Sequence, residues 1–326
     1  MTSLRASVPG KVNFSLLVGP PAADGYHPLF TVFAPLDLHD ELQFDLEVVT
    51  ADRGSRATLT VDCPGIPSEM NLVTRALRAV EAATGRRFSG RVGVTKGVPV
   101  GAGLGGGSAD AALALRVAAA LVAGAGGPPL GDARLRELAR RLGADVAFFL
   151  DPRPALARGV GDILEPLPLP AVPLVMVLPD GGLSTAEVYR TFDGVAAGES
   201  VEAFAARCLR AEQAWRSLSA AWVSGGMDEA SACLRVAALL QNDLERASMH
   251  IMPALATHKA VLERRGVLGA LMSGSGPTVF GVCSSREQAE GVAGELSAEG
   301  LSARPVWAGA TGSQPTPPSL GPASLG

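Results

Sequence analysis

The sequence predicts an α+β protein of two domains. Three features carry that expectation: strand-patterned segments open the chain, a glycine cluster feeds a long apolar helix, and a strand–helix–strand order follows near the end. A length of 326 residues suffices for a sizeable core and makes two domains natural. A Pro-rich patch, Pro166 to Pro173, sets the boundary near 152–172. The first domain is therefore placed at 1–160 and the second at 161–308, ahead of a tail at 309–326.

Residues 7–18 alternate as a strand does, with Lys11, Asn13 and Ser15 on one face and Val12, Phe14 and Leu16 on the other. A lysine there reads either as a solvated edge charge or as the lining of a polar cleft. Asp24-Gly25-Tyr26-His27 follows as a turn. It is either a plain surface turn or a place where an aromatic ring and an imidazole meet a base. Leu42, Phe44, Leu46 and Val48 alternate with polar residues, as do Ala57, Leu59 and Val61. With the polar link Asp52–Arg56 they read as a hairpin. A helix is expected from Ser68 to about Thr84, stopped by Gly85, and a strand over Arg91–Val100.

Five glycines then fall between Gly101 and Gly107, and an Ala/Leu-rich segment runs from Ser108 to about Ala123. Ser108 reads as the N-cap of that helix. Glycines at the positive end of a helix dipole let backbone N–H groups turn towards an anion, and a phosphate suits such a place. The loop is not a P-loop, because no lysine follows the last glycine. Gly101-x-Gly103-x-x-Gly106 does fit the glycines of the dinucleotide fingerprint, but the acidic residue that should follow is missing, since nothing between Asp110 and Asp132 is acidic.

Beyond the loop, a helix is expected at 132–142, followed by Asp145 in Leu142-Gly-Ala-Asp145-Val. That aspartate reads as a cap or turn residue, or as a carboxylate for proton transfer. Ala157-Arg-Gly159-Val-Gly161-Asp162 is a hairpin signature, and Leu174–Leu178 a strand. Tyr189 lies in Leu183-Ser-Thr-Ala-Glu-Val-Tyr189, either packing on a helix or offering an aromatic face. Residues 199–265 are helical, with Gln241–Glu245 as caps and contacts. Leu271-Met-Ser273-Gly-Ser275-Gly-Pro-Thr278-Val-Phe280-Gly is a tight Gly/Ser loop between apolar strands. Strand, helix and strand follow at 279–283, 286–299 and 303–308. The Pro/Ser/Gly tail carries no charge and is expected to be disordered.

A net charge of −4 supplies no basic field for nucleic acid. Cys63, Cys208, Cys233 and Cys283 are scattered, which suits reduced thiols in the cytoplasm better than disulfides or zinc. The four histidines lack metal-ligand spacing, no signal peptide is evident, and Ala111–Ala123 is too short and Ala-rich for a membrane span. The expectation is a cytoplasmic monomer or weak homodimer acting on a small molecule, with no nucleic-acid or membrane partner.

Pro99-x-x-x-Gly103-Leu-Gly-Gly-Gly-Ser108-Ala resembles the nucleotide loop of the GHMP kinases, which include homoserine, mevalonate and galactose kinases. The third glycine before Ser108, together with Pro9-Gly10-Lys11-Val12-Asn13-Phe14, Asp24-Gly-Tyr-His27 and Leu142-Gly-Ala-Asp145-Val, is most similar to the branch acting on 4-diphosphocytidyl-2-C-methyl-D-erythritol. Gly10, Phe14 and Ala147 depart from that branch's pattern. The resemblance implies a fold with a ribosomal protein S5-like N-terminal domain and a ferredoxin-like C-terminal domain. It implies that Pro99, Val100, Gly101, Ala102, Gly103, Leu104, Gly105, Gly106, Gly107, Ser108 and Ala109 hold ATP, with Ser108 a candidate ligand for Mg²⁺. Lys11 and Asp145 are the implied catalytic residues, and Asn13, Tyr26, His27 and Tyr189 the substrate-binding ones. The implied reaction transfers the γ-phosphoryl of ATP to the acceptor's 2-hydroxyl for isoprenoid precursor synthesis. The alternatives are another small-molecule GHMP kinase, or a non-catalytic member of the fold.

Overall fold

The computed structural model describes residues 2–23, 25–50, 58–195 and 199–309. β1 (Thr2–Val18) pairs antiparallel with β2 (Leu29–Thr50), with register shifts between Pro9 and Lys11 and between Asn13 and Ser15. The hairpin expected between β2 and the next strand does not form. β3 (Leu59–Asp62) runs parallel to β4 (Arg86–Thr95), and β4 lies between β3 and β2. Parallel neighbours need a crossover, and α1 (Leu72–Thr84) supplies it. A two-residue alternation marks a strand but not its partner, which is why the expectation failed. The link 52–56 lies outside the described residues. A short 3₁₀ turn covers Ser68–Met70, so the α1 cap is Asn71, whose side chain accepts from the Val73 amide. Gly85 closes the helix at φ 68°, as expected of a glycine there.

α2 (Gly106–Gly124) begins two residues before Ser108, with Gly105 as its N-cap. It packs with α1, with α3 (Asp132–Leu142) and with the short α4 (Val146–Phe149) on one face of the first strands. Leu77, Leu115 and Phe148 meet Phe44, Phe88 and Val92 in that core. α2 is long and apolar enough to cross a membrane, but 72% of its apolar window is buried inside the protein, as a core helix requires. β5 (Ala155–Arg158) and β6 (Ile163–Pro166) form the expected hairpin, with β5 also on β2.

The second group of strands starts at β7 (Val172–Val177), buried on both faces. After it come α5 (Thr185–Val195), α6 (Val201–Val223), α7 (Glu229–Ala238) and the two-residue β8 (Gln241–Asn242), which pairs with β1. Then follow α8 (Glu245–Ile251), α9 (Ala254–Arg264), β9 (Gly269–Met272), β10 (Val279–Val282), α10 (Arg286–Ala298) and β11 (Ala303–Ala308). β11, β7, β10 and β9 pair antiparallel in that order. Leu174 and Met176 pack towards Trp215 and Val236, while Val175 and Val177 pack towards Leu255, Leu262 and Leu296. The sheet is therefore covered by helices on both faces.

The two strand groups meet where β2 departs from β1. Leu36 pairs with Ala308, the Gly309 amide donates to the Pro35 carbonyl at 3.0 Å, and the Trp307 amide donates to Asp37 Oδ1 at 2.8 Å. The tail at 310–326, expected to be disordered, lies outside the described residues.

Candidate active site

The glycine loop folds as a sequence of left-handed steps. Gly101, Gly103 and Gly105 have φ of 71°, 75° and 74°, and between them Ala102 and Leu104 are buried. Side chains are strained in that region, so glycine is required at alternate positions. Space demands it as well. A Cβ on Gly103 would lie 2.5 Å from the Ser273 carbonyl oxygen, and one on Gly105 would lie 2.8 Å from the Phe149 ring.

At Gly105 no side chain caps α2. Ser108, expected in that role, is the third residue of the helix instead, because the glycine loop runs straight into it. The first amides of α2 therefore keep their donors for an outside acceptor. In front of them is a recess of about 250 Å³ whose lining includes residues 99–108, Lys96, Ile66 and Leu72.

Lys11 is buried, which overturns the solvated-edge reading of that lysine. Its main-chain N–H donates to the Leu104 carbonyl at 2.8 Å, tying β1 to the loop. Its ammonium donates to Asn13 Oδ1 at 2.6 Å and lies 3.4 Å from Asp145 Oδ2. It also lies 5.4 Å from the Phe33 ring centroid. Asn13 in turn donates to Thr31 Oγ1 at 2.8 Å, and Thr31 to the Ser15 carbonyl at 2.6 Å. This chain fixes Asn13, so the ammonium is held at one end and free to face the carboxylate at the other. Asp145 immediately precedes α4 without capping it, and its side chain is 35% exposed. A carboxylate that does not cap and keeps one side open is available to a ligand hydroxyl.

The loop at 273–278 closes the site. The position of a Cβ on Gly274 is 3.3 Å from each of Lys11 Nζ, Asn13 Oδ1 and the Gly103 carbonyl oxygen. Ser273 Oγ donates to the Gly103 carbonyl at 3.2 Å, and the Thr278 amide to the Ala102 carbonyl at 3.3 Å. Asn242, expected as a cap, does not cap α8, whose N-cap is Leu244 with no side-chain bond; its Oδ1 accepts from the Leu244 amide in the turn ahead of the helix. Its Nδ2 also pins this loop through the Met272 and Gly274 carbonyls, both at 2.8 Å.

His27 is buried and its ring is held from both sides, with Nδ1 2.7 Å from the Gly19 carbonyl and Nε2 3.2 Å from Asp193 Oδ1. The imidazole therefore points its nitrogens at protein oxygens, and its ring centroid lies 5.3 Å from that of the half-buried Tyr189, with the two rings tilted by 44°. Burial pushes the Tyr189 phenol up to about 12, and the negative Asp145 adds to that rise, which puts Tyr189 within electrostatic reach of the carboxylate. Tyr26 is 66% exposed beside them.

One group escaped the sequence reading. Lys96, just before the loop, bridges two buried carboxylates, Asp40 on β2 and Asp110 on α2, the latter at 2.9 Å. Burial pushes the Asp110 carboxyl up to about 7, against the pull of the Lys96 charge. Its signal was a lone acid in an apolar helix and a lysine ahead of the glycines, but nothing local connects positions 40, 96 and 110. Among the described residues, no group of three or more His, Cys, Asp or Glu could hold a metal ion.

Comparison with known proteins adds the following. Residues 71–151 match the GHMP kinase N-terminal domain and residues 218–301 the GHMP kinase C-terminal domain. The chain is 40% identical over 291 residues to the 4-diphosphocytidyl-2-C-methyl-D-erythritol kinase of Pelotomaculum thermopropionicum, covering 89% of this chain and 92% of that one. It is 39% identical over 307 residues to the enzyme of the same name from Salinispora tropica, covering 90% and 88%. A crystal structure of 4-(cytidine 5'-diphospho)-2C-methyl-D-erythritol kinase superimposes with a TM-score of 0.70 at 34% identity, over 94% of this chain and all of the other. Mevalonate kinase from L. major shares the fold, with a TM-score of 0.65 at 17% identity over 96% and 98% of the chains.

Proposed function

The chain belongs to the 4-diphosphocytidyl-2-C-methyl-D-erythritol kinase family of the GHMP kinases, and from that membership we propose how its residues divide the work. It is an ATP-dependent kinase with an alcohol acceptor, phosphorylating the 2-hydroxyl of 4-diphosphocytidyl-2-C-methyl-D-erythritol for isoprenoid precursor synthesis. We assign the nucleotide to the first half, over 1–160, and the closing loop at 273–278 to the second, over 161–308.

Phosphoryl transfer asks for alignment and charge neutralisation more than for covalent chemistry. The amides of residues 101–107 and the uncapped start of α2 take the phosphates, and Ile66 and Leu72 form an apolar wall beside them. Asp145 receives the hydrogen of the attacking hydroxyl, and Lys11, 3.4 Å away, faces that carboxylate and steadies the charge on the moving phosphoryl group. Asn13 holds Lys11 and lines the acceptor side. Tyr26 and Tyr189 offer faces to the cytosine, and His27 sets the position of Tyr189.

Mg²⁺ accepts few protein ligands and relies on phosphates and water, so the Ser108 hydroxyl, in the lining of the recess, fits it better than a closed cage would. When bound, it would neutralise phosphate charge. Free thiols fit a reducing cytoplasm.

The observation that carries this reading is a buried lysine paired with a half-open carboxylate beside an uncapped, glycine-led helix. ADP release is to be measured with the cytidylyl acceptor against homoserine, mevalonate and galactose. Activity is expected with the first alone. Asp145→Asn should lower its kcat by about 10²–10⁴, and turnover within a few-fold of wild type would remove Asp145 from the chemistry.

A further inference from the structure

Behind the glycine loop lies a charged cluster to which the proposed chemistry gives no role, with Lys96 alone of its members reaching the lining of the recess. Asp40 is fully buried, Asp110 is 3% exposed, and the Lys96 side chain between them is 12% exposed. Asp40 Oδ1 accepts from the Gly97 and Val98 amides, both at 2.8 Å, and its Oδ2 accepts from Lys96. Lys96 then donates to Asp110 Oδ2 at 2.9 Å, one turn into α2. A Cβ on Gly106, the first residue of α2, would sit 3.0 Å from both Asp40 Oδ2 and Lys96 Nζ. The helix start is thus seated directly on the ion pair. Cys63 lies within electrostatic reach of all three charges.

Stability is a poor explanation for this arrangement. A buried triad of charges loses hydration on every member, and an apolar trio of similar volume is commonly as stable or more so. Asp110 Oδ1 has no hydrogen-bond partner among the described residues, so the cluster is not even fully satisfied. What the triad does supply is direction. It joins β2, the exit of β4 and the first turns of α2 at a single ammonium, and those first turns carry the amides that meet the phosphates.

We propose that Asp40, Lys96 and Asp110 form a strut that aims the start of α2 at the phosphates of the nucleotide, with Lys96 and Asp110 as positioning residues. The proposal rests on the nucleotide site assigned above. The strut sets affinity for the phosphate chain and leaves the rest of the nucleotide's contacts untouched.

The test is calorimetric titration of wild type, Asp110→Leu and Asp110→Asn with ATP, ADP and adenosine, together with steady-state kinetics. The leucine removes the tie to Lys96, whereas asparagine keeps an oxygen for the ammonium. For Asp110→Leu, ATP and ADP affinities should fall about tenfold, a part of what an ångström of misplacement costs, while adenosine affinity holds. The KM for ATP should rise in step with kcat kept, and Asp110→Asn should restore most of the loss. Equal losses for all three ligands, or a folded leucine variant with wild-type ATP affinity, would overturn the strut. Should the leucine variant not fold, Asp110→Ala, which also removes the tie to Lys96 and lies outside the lining of the recess, is read by the same ligand series. Wild type that fails to bind ATP would instead sink the nucleotide site itself.

Discussion

Replacing Gly103 by alanine strikes the point where the phosphate loop and the closing loop touch. Gly103 has φ 75°, and a left-handed conformation costs an L-residue about 1–2 kcal/mol. The added methyl would also lie 2.5 Å from the Ser273 carbonyl oxygen and 2.7 Å from that of Gly276. Both neighbours are backbone, so neither can rotate away. Forced overpacking costs about 1–3 kcal/mol more, for a total of about 2–5 kcal/mol. In a chain of 326 residues that lowers Tm by roughly 3–7 °C. If instead the loops part to make room, the phosphates move, and an ångström of misplacement costs about 10² in kcat/KM. Gly107→Ala is the control: its Cβ would meet only Leu72 Cδ1, at 3.7 Å, and alanine inside a helix is favoured by about 0.5–1 kcal/mol. Calorimetry gives Tm, and ADP release with saturating acceptor gives kcat/KM for ATP. A Gly103→Ala enzyme as stable as Gly107→Ala, and within about threefold of wild type in kcat/KM, far from that expected loss, would refute the account of the loop.

Two further outcomes follow from the aromatic side of the site. Tyr26→Ala should leave Tm nearly unchanged, because the residue is 66% exposed, and raise KM for the cytidylyl acceptor about fivefold through loss of a stacking face; an unchanged KM takes Tyr26 out of recognition. The chain has two tyrosines, and phenolate absorbance should show one of them titrating near 12, a step absent from Tyr189→Phe and lower in Asp145→Asn. The sign for stability is that the folded phenol keeps a proton the unfolded one releases near 10, so Tyr189 favours folding up to about pH 10 and that contribution is lost towards 12.

Much of the fold was legible where local chemistry decides it. The α3 span, the β5–β6 hairpin and the β10–α10–β11 order follow from caps, glycines and periodicity. The failures share a cause, which is that the deciding partner is distant in sequence. Nothing between 42 and 61 announces that β4 will insert beside β2. Ser68 and Ser108 are good cap residues that were passed over, one for Asn71 and one for a bare glycine. In the second case local preference yields because the left-handed glycine steps run straight into α2 and put Gly105 at the cap position. The candidate site was legible as a set of motifs, since Lys11, Asn13, Asp145 and the loop do converge. The alternating face of β1 pointed to Lys11 and Asn13, and the pattern alone could not tell buried from solvated. The Lys96 cluster was invisible because its three members come from β2, the β4 exit and α2.

A loop with its own lysine carries its cation wherever it goes. Here the loop carries none, and the cation is supplied from β1. What keeps the two in register is the backbone bond from the Lys11 amide to the Leu104 carbonyl, at 2.8 Å. Leu104 is buried between the left-handed Gly103 and Gly105, and a Cβ on Gly105 would lie 3.1 Å from Lys11 Cγ. Any shift of the loop therefore drags the lysine's anchor, and the Lys11–Asp145 separation changes with it. This separates two kinds of damage. Disturbing α2 from behind, at Asp110, leaves the Leu104 bond alone and should show in KM for ATP. Disturbing the loop at Gly103 displaces the phosphate cradle and the ammonium together, and kcat should fall along with the affinity. If Gly103→Ala raised KM for ATP while kcat stayed at the wild-type value, Lys11 would not be coupled to the loop through Leu104.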